Sequence, residues 1–367
     1  MTLRERALTS IRHRMPDRIP SIIDARREVQ VKLAEYYGVN TYLEVLAILD
    51  AEEMYHFPVQ ALPSVDFPEF EEKAEVVPGP WIGGGQRYIR IDERTIEDEW
   101  GVVRRIGSDG KYVEWLTGPL VDVDDPAKIT YPEPERLMKN PDLEKTVARI
   151  KEEGYPVRTL VGQPYKIAWL LRGMQNLLMD YALNPSYVKA LYGAIFALQG
   201  EILRICTRAG ADIVGFDGDI ASKDALIMGP ERWRSIDKPR LANVVDSCKA
   251  INPEVRAFIH SDGNISEILL DLIEIGFDVV DPIQPECMDP RAVKREYGRD
   301  LCLHRCGSLQ RTLPFGTPKD CRAEAIELIR TCGQDGGLVL GASNTVGFDV
   351  PTENIAAWYE AVRDYRQ

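Results

Sequence analysis

The sequence predicts an α/β protein built as a (β/α)₈ (TIM) barrel, with N-terminal helices and a β-hairpin region added over the barrel mouth. From about residue 155, apolar strands alternate with helices to the end of the chain. Three junctions, RAGADIV, EIGFDVV and REYGRDLCL, each end a helix on glycine and enter a strand through aspartate. No glycine-rich phosphate loop follows an early strand, which disfavours the alternative of an open doubly wound sheet.

The N-terminal region carries the additions. The segment from Thr2 to about Pro16 is predicted to be a helix, because its apolar residues recur at helical spacing, and residues 42–55 are predicted to be a second helix. Residues ~85–117 alternate apolar and polar side chains around a Ser-Asp-Gly turn signal, which predicts a small antiparallel β region. We interpret residues 1–367 as one domain, with additions over 1–120 and regular βα units over 155–367.

Each regular unit joins an apolar strand to a helix. The predicted strands are VRTLVG, ADIVGF, VRAFIH, FDVVDPI, LCLH and GLVLGAS. Helices lie before Gly210, from Pro230 to Ala250, and in ISEILLDLIEIG, DPRAVKREYG, KDCRAEAIELIRTCG and TENIAAWYEAVRDY. Barrel active sites form at the C-terminal ends of strands, so the residues there are the functional candidates.

The composition argues against some classes of protein, such as nucleic-acid-binding and membrane-spanning proteins. The formal net charge of −13 argues against a large nucleic-acid-binding face, which needs clustered Lys and Arg. No apolar run approaches the ~18 residues of a membrane span, and the charged first 20 residues lack the apolar core of a signal peptide. The seven cysteines include no CxxC pair. We therefore expect a cytoplasmic protein with reduced thiols.

Polar or ionisable residues stand at almost every predicted strand end. They are Gln163, Asp217, Asp219, His260, Asp262, Asn264, Gln284, Glu286, His304, Cys306, Ser343 and Asn344. Helix capping is an alternative role for Asp262, Asn264 and Ser343. Two of only four histidines fall at such positions, however, which favours a functional site.

Two segments share a ligand-like spacing. In His260-Ser261-Asp262, residues i and i+2 at a strand end share a face, so both side chains could point into the barrel mouth. His304-Arg305-Cys306 repeats the spacing. Imidazole, carboxylate and thiolate are zinc ligands, which makes His260, Asp262 and Cys306 a candidate metal set. The alternative is a barrel-wall histidine at 304 and a small buried hydrophobe at 306.

The remaining candidates divide into two groups. Asp217 and Asp219 flank a glycine, where they could bind hydroxyls or a cation, or raise one carboxyl pKa by proximity; with His260 and Asp262 they are the candidate catalytic residues. The candidate substrate-binding residues are Gln163, Asn264, Gln284, Glu286, Ser343, Asn344 and Trp81.

The segments RERALTSIRHRMPDRIP, EDEWGVV, AGADIVGFDGDIASKDALIMGPERWRSIDKPR, FIHSDGNISEILLDLIEIGFDVVDPIQPE and LPFGTP resemble, in order, those of the uroporphyrinogen decarboxylase superfamily. The likeness covers nearly the whole chain and leans to the corrinoid-dependent methyltransferase branch. The arginine-rich segment of true decarboxylases is reduced here to Arg26 and Arg27, which argues against a porphyrinogen substrate. Asp262 stands where zinc-dependent members have cysteine, and Asn344 lies near the position of their later cysteine.

The resemblance implies a methyltransferase that moves a methyl group from a small methylated donor, such as an aryl methyl ether, to a corrinoid protein. Zinc is the implied metal, and Trp81 in PGPWIGGG is a candidate for the docking rim. The alternative is a decarboxylase or other lyase, anchored on Arg26, Arg27, Lys223 or Arg305. A third reading is a non-enzymatic barrel that binds a corrinoid protein or a ligand.

Overall fold

The computed structural model describes residues 1–53, 75–76, 87–98, 100–108, 113–128, 131 and 142–365. Eight strands form one parallel sheet, in the order β2-β1-β13-β12-β11-β10-β9-β8. They are β1 (Ser21–Ile23), β2 (Glu52–Glu53), β8 (Arg158–Gly162), β9 (Ile213–Asp217), β10 (Arg256–His260), β11 (Val279–Asp281), β12 (Cys302–His304) and β13 (Leu338–Gly341). The strands predicted from residue 155 onward all lie in this sheet.

Helices connect the strands. They are α1 (Leu3–Ile11), α2 (Arg27–Tyr37), α3 (Tyr42–Leu49), α4 (Leu143–Glu152), α5 (Pro164–Arg172), α6 (Met174–Leu183), α7 (Pro185–Arg208), α8 (Pro230–Ile236), α9 (Lys238–Ile251), α10 (Leu269–Ile275), α11 (Pro290–Tyr297), α12 (Thr312–Phe315), α13 (Pro318–Cys332) and α14 (Thr352–Asp364). The predicted helix 230–250 is thus two helices. Among these described helices, none combines the length and apolar character needed to cross a membrane.

The parallel sheet curls around an apolar interior. Side chains from six of its strands meet there with two residues of α1: Leu8, Ile11, Ile22, Ile213, Phe258, Val279, Cys302 and Val339. Strands at distant positions in the sheet order can share one interior only if the sheet bends round on itself. The outer faces of the strands pack against the helices in a second, larger core.

Helix α1 closes the N-terminal end of the curled sheet. A capping box between Thr2 and Glu5 starts the helix. Arg4 pairs with Asp212 at 2.8 Å, and Ser10 Oγ donates a hydrogen bond to the Leu338 carbonyl oxygen at 2.7 Å. These contacts occupy the N-terminal end and leave the C-terminal ends of the strands for the polar loops.

A second, antiparallel sheet precedes the regular units, as predicted. Its strands follow one another in chain order: β3 (Glu75–Val76), β4 (Arg87–Arg90), β5 (Thr95–Asp98), β6 (Val103–Ile106) and β7 (Val113–Thr117). Trp115 Nε1 donates to the Leu170 carbonyl oxygen at 2.9 Å, which joins β7 to α5. That these additions cover the barrel mouth stays a prediction.

The helix predicted over residues 42–55 was wrong at its C-terminal end. The helix stops at Leu49 because Asp50 adopts a left-handed conformation, with φ of 53°. Glu52–Glu53 then pair with β1 as an edge strand. The sequence hides this change, because Ala and Glu are good helix formers and only the backbone at Asp50 ends the helix. Strand β1 was not predicted either, because three residues are too short to show an apolar strand pattern.

Candidate active site at the ends of β9, β10 and β11

Three neighbouring strands end in ionisable side chains at one level of the sheet. His260 is the last residue of β10, and it pairs in register with Asp217 of β9 and with Asp281 of β11. Because parallel strands keep their C-terminal ends at one edge, the three residues form a row.

Asp281 anchors this row and is fully buried. Its Oδ1 accepts hydrogen bonds from His304 Nδ1 at 2.6 Å and from Arg305 Nε at 2.7 Å. Its Oδ2 accepts from His260 Nδ1 at 2.6 Å and from a terminal nitrogen of Arg305 at 2.5 Å. Burial opposes ionisation, but the Arg305 charge, the His304 ring and these hydrogen bonds outweigh it and hold the pKa of Asp281 well below its usual value.

His260 turns its second ring nitrogen towards two further carboxylates. Nε2 lies 3.7 Å from Asp217 Oδ1 and 3.8 Å from Asp219 Oδ1. Burial disfavours the charged ring, but the Asp217 charge and the Asp281 hydrogen bond exceed that effect and raise the pKa of His260 to about 9. In the absence of a bound cation, His260 is therefore an imidazolium at neutral pH and can donate a proton through Nε2.

Asp262 joins Asp219 and His260 in a cluster of potential cation ligands. One ligand atom from each of the three residues lies within 4.8 Å of the others. The Asp262 N–H donates to Asp219 Oδ1 at 3.2 Å, and Asn344 Nδ2 donates to Asp262 Oδ2 at 2.5 Å. Desolvation raises the pKa of Asp262 to about 6. Its Oδ1 is buried and has no hydrogen-bond partner among the described residues.

This donor set fits a divalent cation. Imidazole nitrogen and carboxylate oxygen are accepted zinc ligands, and a ligating histidine commonly donates its other N–H to a carboxylate, as His260 does to Asp281. The partnerless Oδ1 of Asp262 points the same way, because a buried carboxylate oxygen is costly unless a cation or a donor meets it. Without a thiolate, the cluster suits a harder ion than a cysteine-rich zinc site does.

A pocket of about 380 Å³ opens beside Asp262. Gln284, Ser343 and Asn344, three of the predicted substrate-binding residues, line it together with Arg26 and Asp262. Ser343 is buried, and its Oγ has no hydrogen-bond partner in the part of the chain that the structure describes. Ser343 therefore places a buried hydroxyl, without a partner among the described residues, in the wall of this pocket.

The other predicted substrate-binding residues have different surroundings. At the end of β8, Gln163 is buried and its Nε2 lacks a partner within the described ranges. Asn264 Oδ1 accepts from the Ser266 backbone and hydroxyl, at 3.0 and 2.6 Å, in a local turn, whereas the N-cap of the next helical turn is Ile265. Glu286 Oε1 accepts from Ser308 Oγ at 2.5 Å. Trp81 lies outside the described residues.

The structure does not bring Cys306 to the cluster. Its side chain is fully buried in the apolar core, and desolvation raises the pKa of its thiol well above the usual value. The i, i+2 argument fails here because Arg305 has a left-handed backbone, with φ of 56°, so positions 304 and 306 do not share a face. His304 is likewise buried, against Asp281.

Two residues of the candidate site, Asp281 and Lys166, were not predicted from the sequence. Asp281 sits at a strand end, but the end of FDVVDPI was predicted three residues later, at Gln284. Lys166 follows β8 on α5; its Nζ lies 3.7 Å from Asp219 Oδ2 and 5.1 Å from the ring centroid of Trp169. The strand-end rule could have found Asp281, whereas no sequence pattern singles out Lys166.

The fold and the strand-end site define an α/β enzyme-like scaffold, and comparison with known proteins identifies its family. The family model "Uroporphyrinogen decarboxylase (URO-D)" matches residues 102–365. The chain belongs to this family, as its motifs predicted.

The similar proteins include both decarboxylases and a methyltransferase. Uroporphyrinogen decarboxylase of Chlorobium luteolum is 25% identical over 184 residues, 49% of this chain and 50% of that protein. Uroporphyrinogen decarboxylase of Chlorobaculum parvum is 25% identical over 159 residues, which are 42% of this chain and 43% of that protein. The chain thus spans about half the length of these curated relatives or less. A solved structure, a methyltransferase from Methanosarcina mazei, shares the fold over 99% of both chains, with a TM-score of 0.66 and 18% identity.

Proposed function

We propose that this chain is a methyltransferase that moves a methyl group from a small methylated donor to the corrinoid of a separate protein. The cluster of Asp219, His260 and Asp262 is the observation that carries the proposal, because it can activate the atom that loses the methyl group. A reduced corrinoid is a strong nucleophile, so leaving-group activation is the enzyme's main task. The fold shared with the Methanosarcina mazei methyltransferase supports this choice within the family.

The chemistry is a displacement at the methyl carbon, with an oxygen as the preferred leaving atom. The acceptor contributes the electron pair of the new bond, and the pair of the broken carbon–oxygen bond stays on oxygen. In the metal-free protein that oxygen would receive the proton that His260 carries on Nε2, while Asp281 keeps the ring in place through Nδ1. Asp217, 3.7 Å from Nε2, stabilises the protonated ring beforehand.

A divalent cation, with zinc as our proposal, would be held by Asp219, His260 and Asp262. When bound, it supplies Lewis-acid polarisation of the leaving oxygen. His260 Nε2 would then be a ligand instead of a proton donor, so the two roles exclude each other. The metal content of the active protein separates them.

The architecture we infer is a closed (β/α)₈ barrel whose N-terminal additions leave a gap for the corrinoid protein. Phe348 lines the pocket beside Asp262 and is 49% exposed, which suits a rim that contacts a partner. Trp81 lies outside the described residues and stays a rim candidate on its sequence alone. A corrinoid carried by another protein must approach the methyl carbon from outside, in line with the leaving oxygen.

A decarboxylase or other lyase acting on a small carboxylated substrate is the second candidate. Arg26 in the pocket favours it, as does Lys166 beside Asp219, because both could bind a carboxylate. Arg305 is unsuited as a substrate anchor, since it is buried against Asp281. The surrounding acids also oppose an anionic substrate.

The test is a methyl-transfer assay with cob(I)alamin and with candidate corrinoid proteins, across methoxylated aromatics, methanol and methylamines. We expect methylcobalamin with at least one donor. If no donor gives it with any acceptor, while carboxylated substrates release carbon dioxide, the lyase replaces the methyltransferase. A parallel metal analysis of the active protein decides between the ligand and proton-donor roles of His260.

A further inference from the structure

The carboxylate of Asp281 has no acceptor capacity left. A carboxylate offers about four lone-pair positions, and here two are taken by Arg305, one by His260 and one by His304. All four contacts are 2.5–2.7 Å, and the carboxylate is fully buried. The guanidinium of Arg305 places a permanent positive charge and one N–H on each oxygen, which keeps the buried carboxylate ionised. It acts only as an acceptor.

This saturation fixes the tautomer of His260. An acceptor-only partner at 2.6 Å requires that the ring nitrogen facing it carry the hydrogen, so His260 must hold a proton on Nδ1. A terminal nitrogen of Arg305, 3.4 Å from Nδ1, is also a donor and therefore makes no hydrogen bond to it. Nε2 is then the atom that is free to change its state, and it is the atom that faces Asp217 and Asp219. The same reasoning assigns a proton to Nδ1 of His304, whose ring is buried beneath the site.

Arg305 is placed to create this saturation. Its planar guanidinium gives one nitrogen to each oxygen of Asp281, a geometry that no other side chain reproduces. Its backbone is left-handed, which costs energy for a non-glycine residue and is retained where surrounding contacts enforce it. The stem crosses Gly341 closely, since a Cβ there would lie 3.2 Å from Arg305 Cγ.

A second acid, Asp24, also contacts the guanidinium of Arg305. Its NH1 lies 3.6 Å from Asp24 Oδ2, which also accepts a hydrogen bond from Thr345 Oγ1 at 2.7 Å. Asp24 follows β1 and Thr345 follows β13, the loop that also carries Asn344. The guanidinium is therefore clamped between β11 and the loops of two other strands, and its position is over-determined.

We propose that Arg305 is the positioning residue of the site: by occupying both oxygens of Asp281, it locks His260 with Nδ1 protonated and Nε2 directed at Asp217 and Asp219. The segment His304–Cys306 then supports the cluster through the contacts of His304 and Arg305 with Asp281, and it supplies no ligand. The positioning role rests on the proposed function only for its metal readout, because the tautomer of His260 can be observed directly.

The experiment is nitrogen NMR of ¹⁵N-histidine-labelled full-length protein, in which only four histidines give signals and His260→Gln assigns one of them. In metal-free protein titrated through the His260 pKa of about 9, we expect Nε2 to lose its proton and Nδ1 to keep it, and in metal-loaded protein we expect Nε2 to be the bound nitrogen. Arg305→Asn tolerates the left-handed backbone but removes the fork, so His260 should lose its single tautomer. Cobalt(II) titration should show affinity about 10- to 100-fold weaker.

Two further variants keep the test decisive. Arg305→Lys retains the buried charge, which protects folding, but one ammonium cannot reproduce the fork, so we expect an intermediate spectrum and a smaller loss of affinity. Arg256→Lys weakens another Arg–Asp pair, with Asp278 at 3.0 Å, at the opposite end of β10, and should leave the His260 signals unchanged.

An unchanged His260 spectrum in both Arg305 variants would overturn the proposal, as would a wild-type His260 with its proton on Nε2 alone. Matching losses in the Arg256→Lys control would reduce Arg305 to a general stabiliser. If the wild-type protein binds no cobalt while the tautomer shifts as expected, the metal part of the proposed function fails and the positioning role stands.

Discussion

The segments His260–Asp262 and His304–Cys306 have the same spacing and flank the same acid, yet only the first forms part of the candidate site. Both histidines donate through Nδ1 to Asp281, one from each neighbouring strand. After His260 the chain delivers Asp262 to the cluster with Asp219, whereas the left-handed Arg305 leaves Cys306 in the apolar core. Ligand spacing therefore becomes informative only when the backbone between the two ligands is known.

The largest effect should separate the two histidines. His260→Ala removes the proton donor or ligand, and we expect turnover to fall by roughly 100-fold or more, in addition to the stability lost with its hydrogen bond to Asp281. His304→Ala opens a space in the buried interior and should instead destabilise by about 2 kcal/mol or more. Initial rates and thermal melts of both variants check this. Equal loss of turnover without destabilisation in both would erase the distinction.

The next effect concerns the third residues of the segments. Asp262→Asn keeps the size of the side chain but removes the charge next to His260, so turnover should fall about 10- to 100-fold. Cys306→Ala removes one buried sulfur and should leave turnover within roughly twofold while destabilising by about 1 kcal/mol. Activity assays on both variants give the comparison. Activity that depends on Cys306 and tolerates Asp262→Asn would reverse it.

Asp237, which lies outside both segments, tests separately how burial changes the pKa of an aspartate and the stability of the fold. Like Asp281 it is almost fully buried, but its Oδ2 has no partner among the described residues, and desolvation raises its pKa to about 8. An acid with a raised folded pKa binds more protons folded than unfolded, so its contribution to stability is complete below about pH 4 and declines as the pH rises towards 8.

Asp237→Asn should therefore stabilise the protein more at pH 8 than at pH 5, by a few degrees in Tm. Asp271 is the matched control, because Arg234 and Lys238 overcome its desolvation and lower its pKa. Asp271→Asn should lose about the same stability at pH 5 and at pH 8, because both pH values lie above the ordinary aspartate pKa and the carboxylate is ionised in the folded and the unfolded protein. Melts of the two variants across pH 5–8 would contradict this account if the gain in Asp237→Asn did not grow with pH, or if the loss in Asp271→Asn grew equally steeply.

Much of the fold was accessible from sequence, because long apolar runs and helix-ending glycines are local signals. Strands β8 to β13 follow those runs, and the strand-end rule brought Asp219, His260 and Asp262 into consideration together. The rest depended on backbone geometry that composition does not encode. The turn at Asp50 ended a helix inside a helix-forming stretch, and the turn at Arg305 separated Cys306 from the cluster.

The most direct test of the central claim, that Asp219, His260 and Asp262 hold a divalent ion at the reactive centre, is zinc titration of the purified protein, of Asp262→Asn and of Cys306→Ala. We expect one zinc ion per chain in the wild-type protein, unchanged affinity in Cys306→Ala, and affinity at least about 10-fold weaker in Asp262→Asn. Loss of binding in Cys306→Ala, or full methyl transfer by a wild-type protein that binds no divalent ion, would contradict the metal-holding cluster.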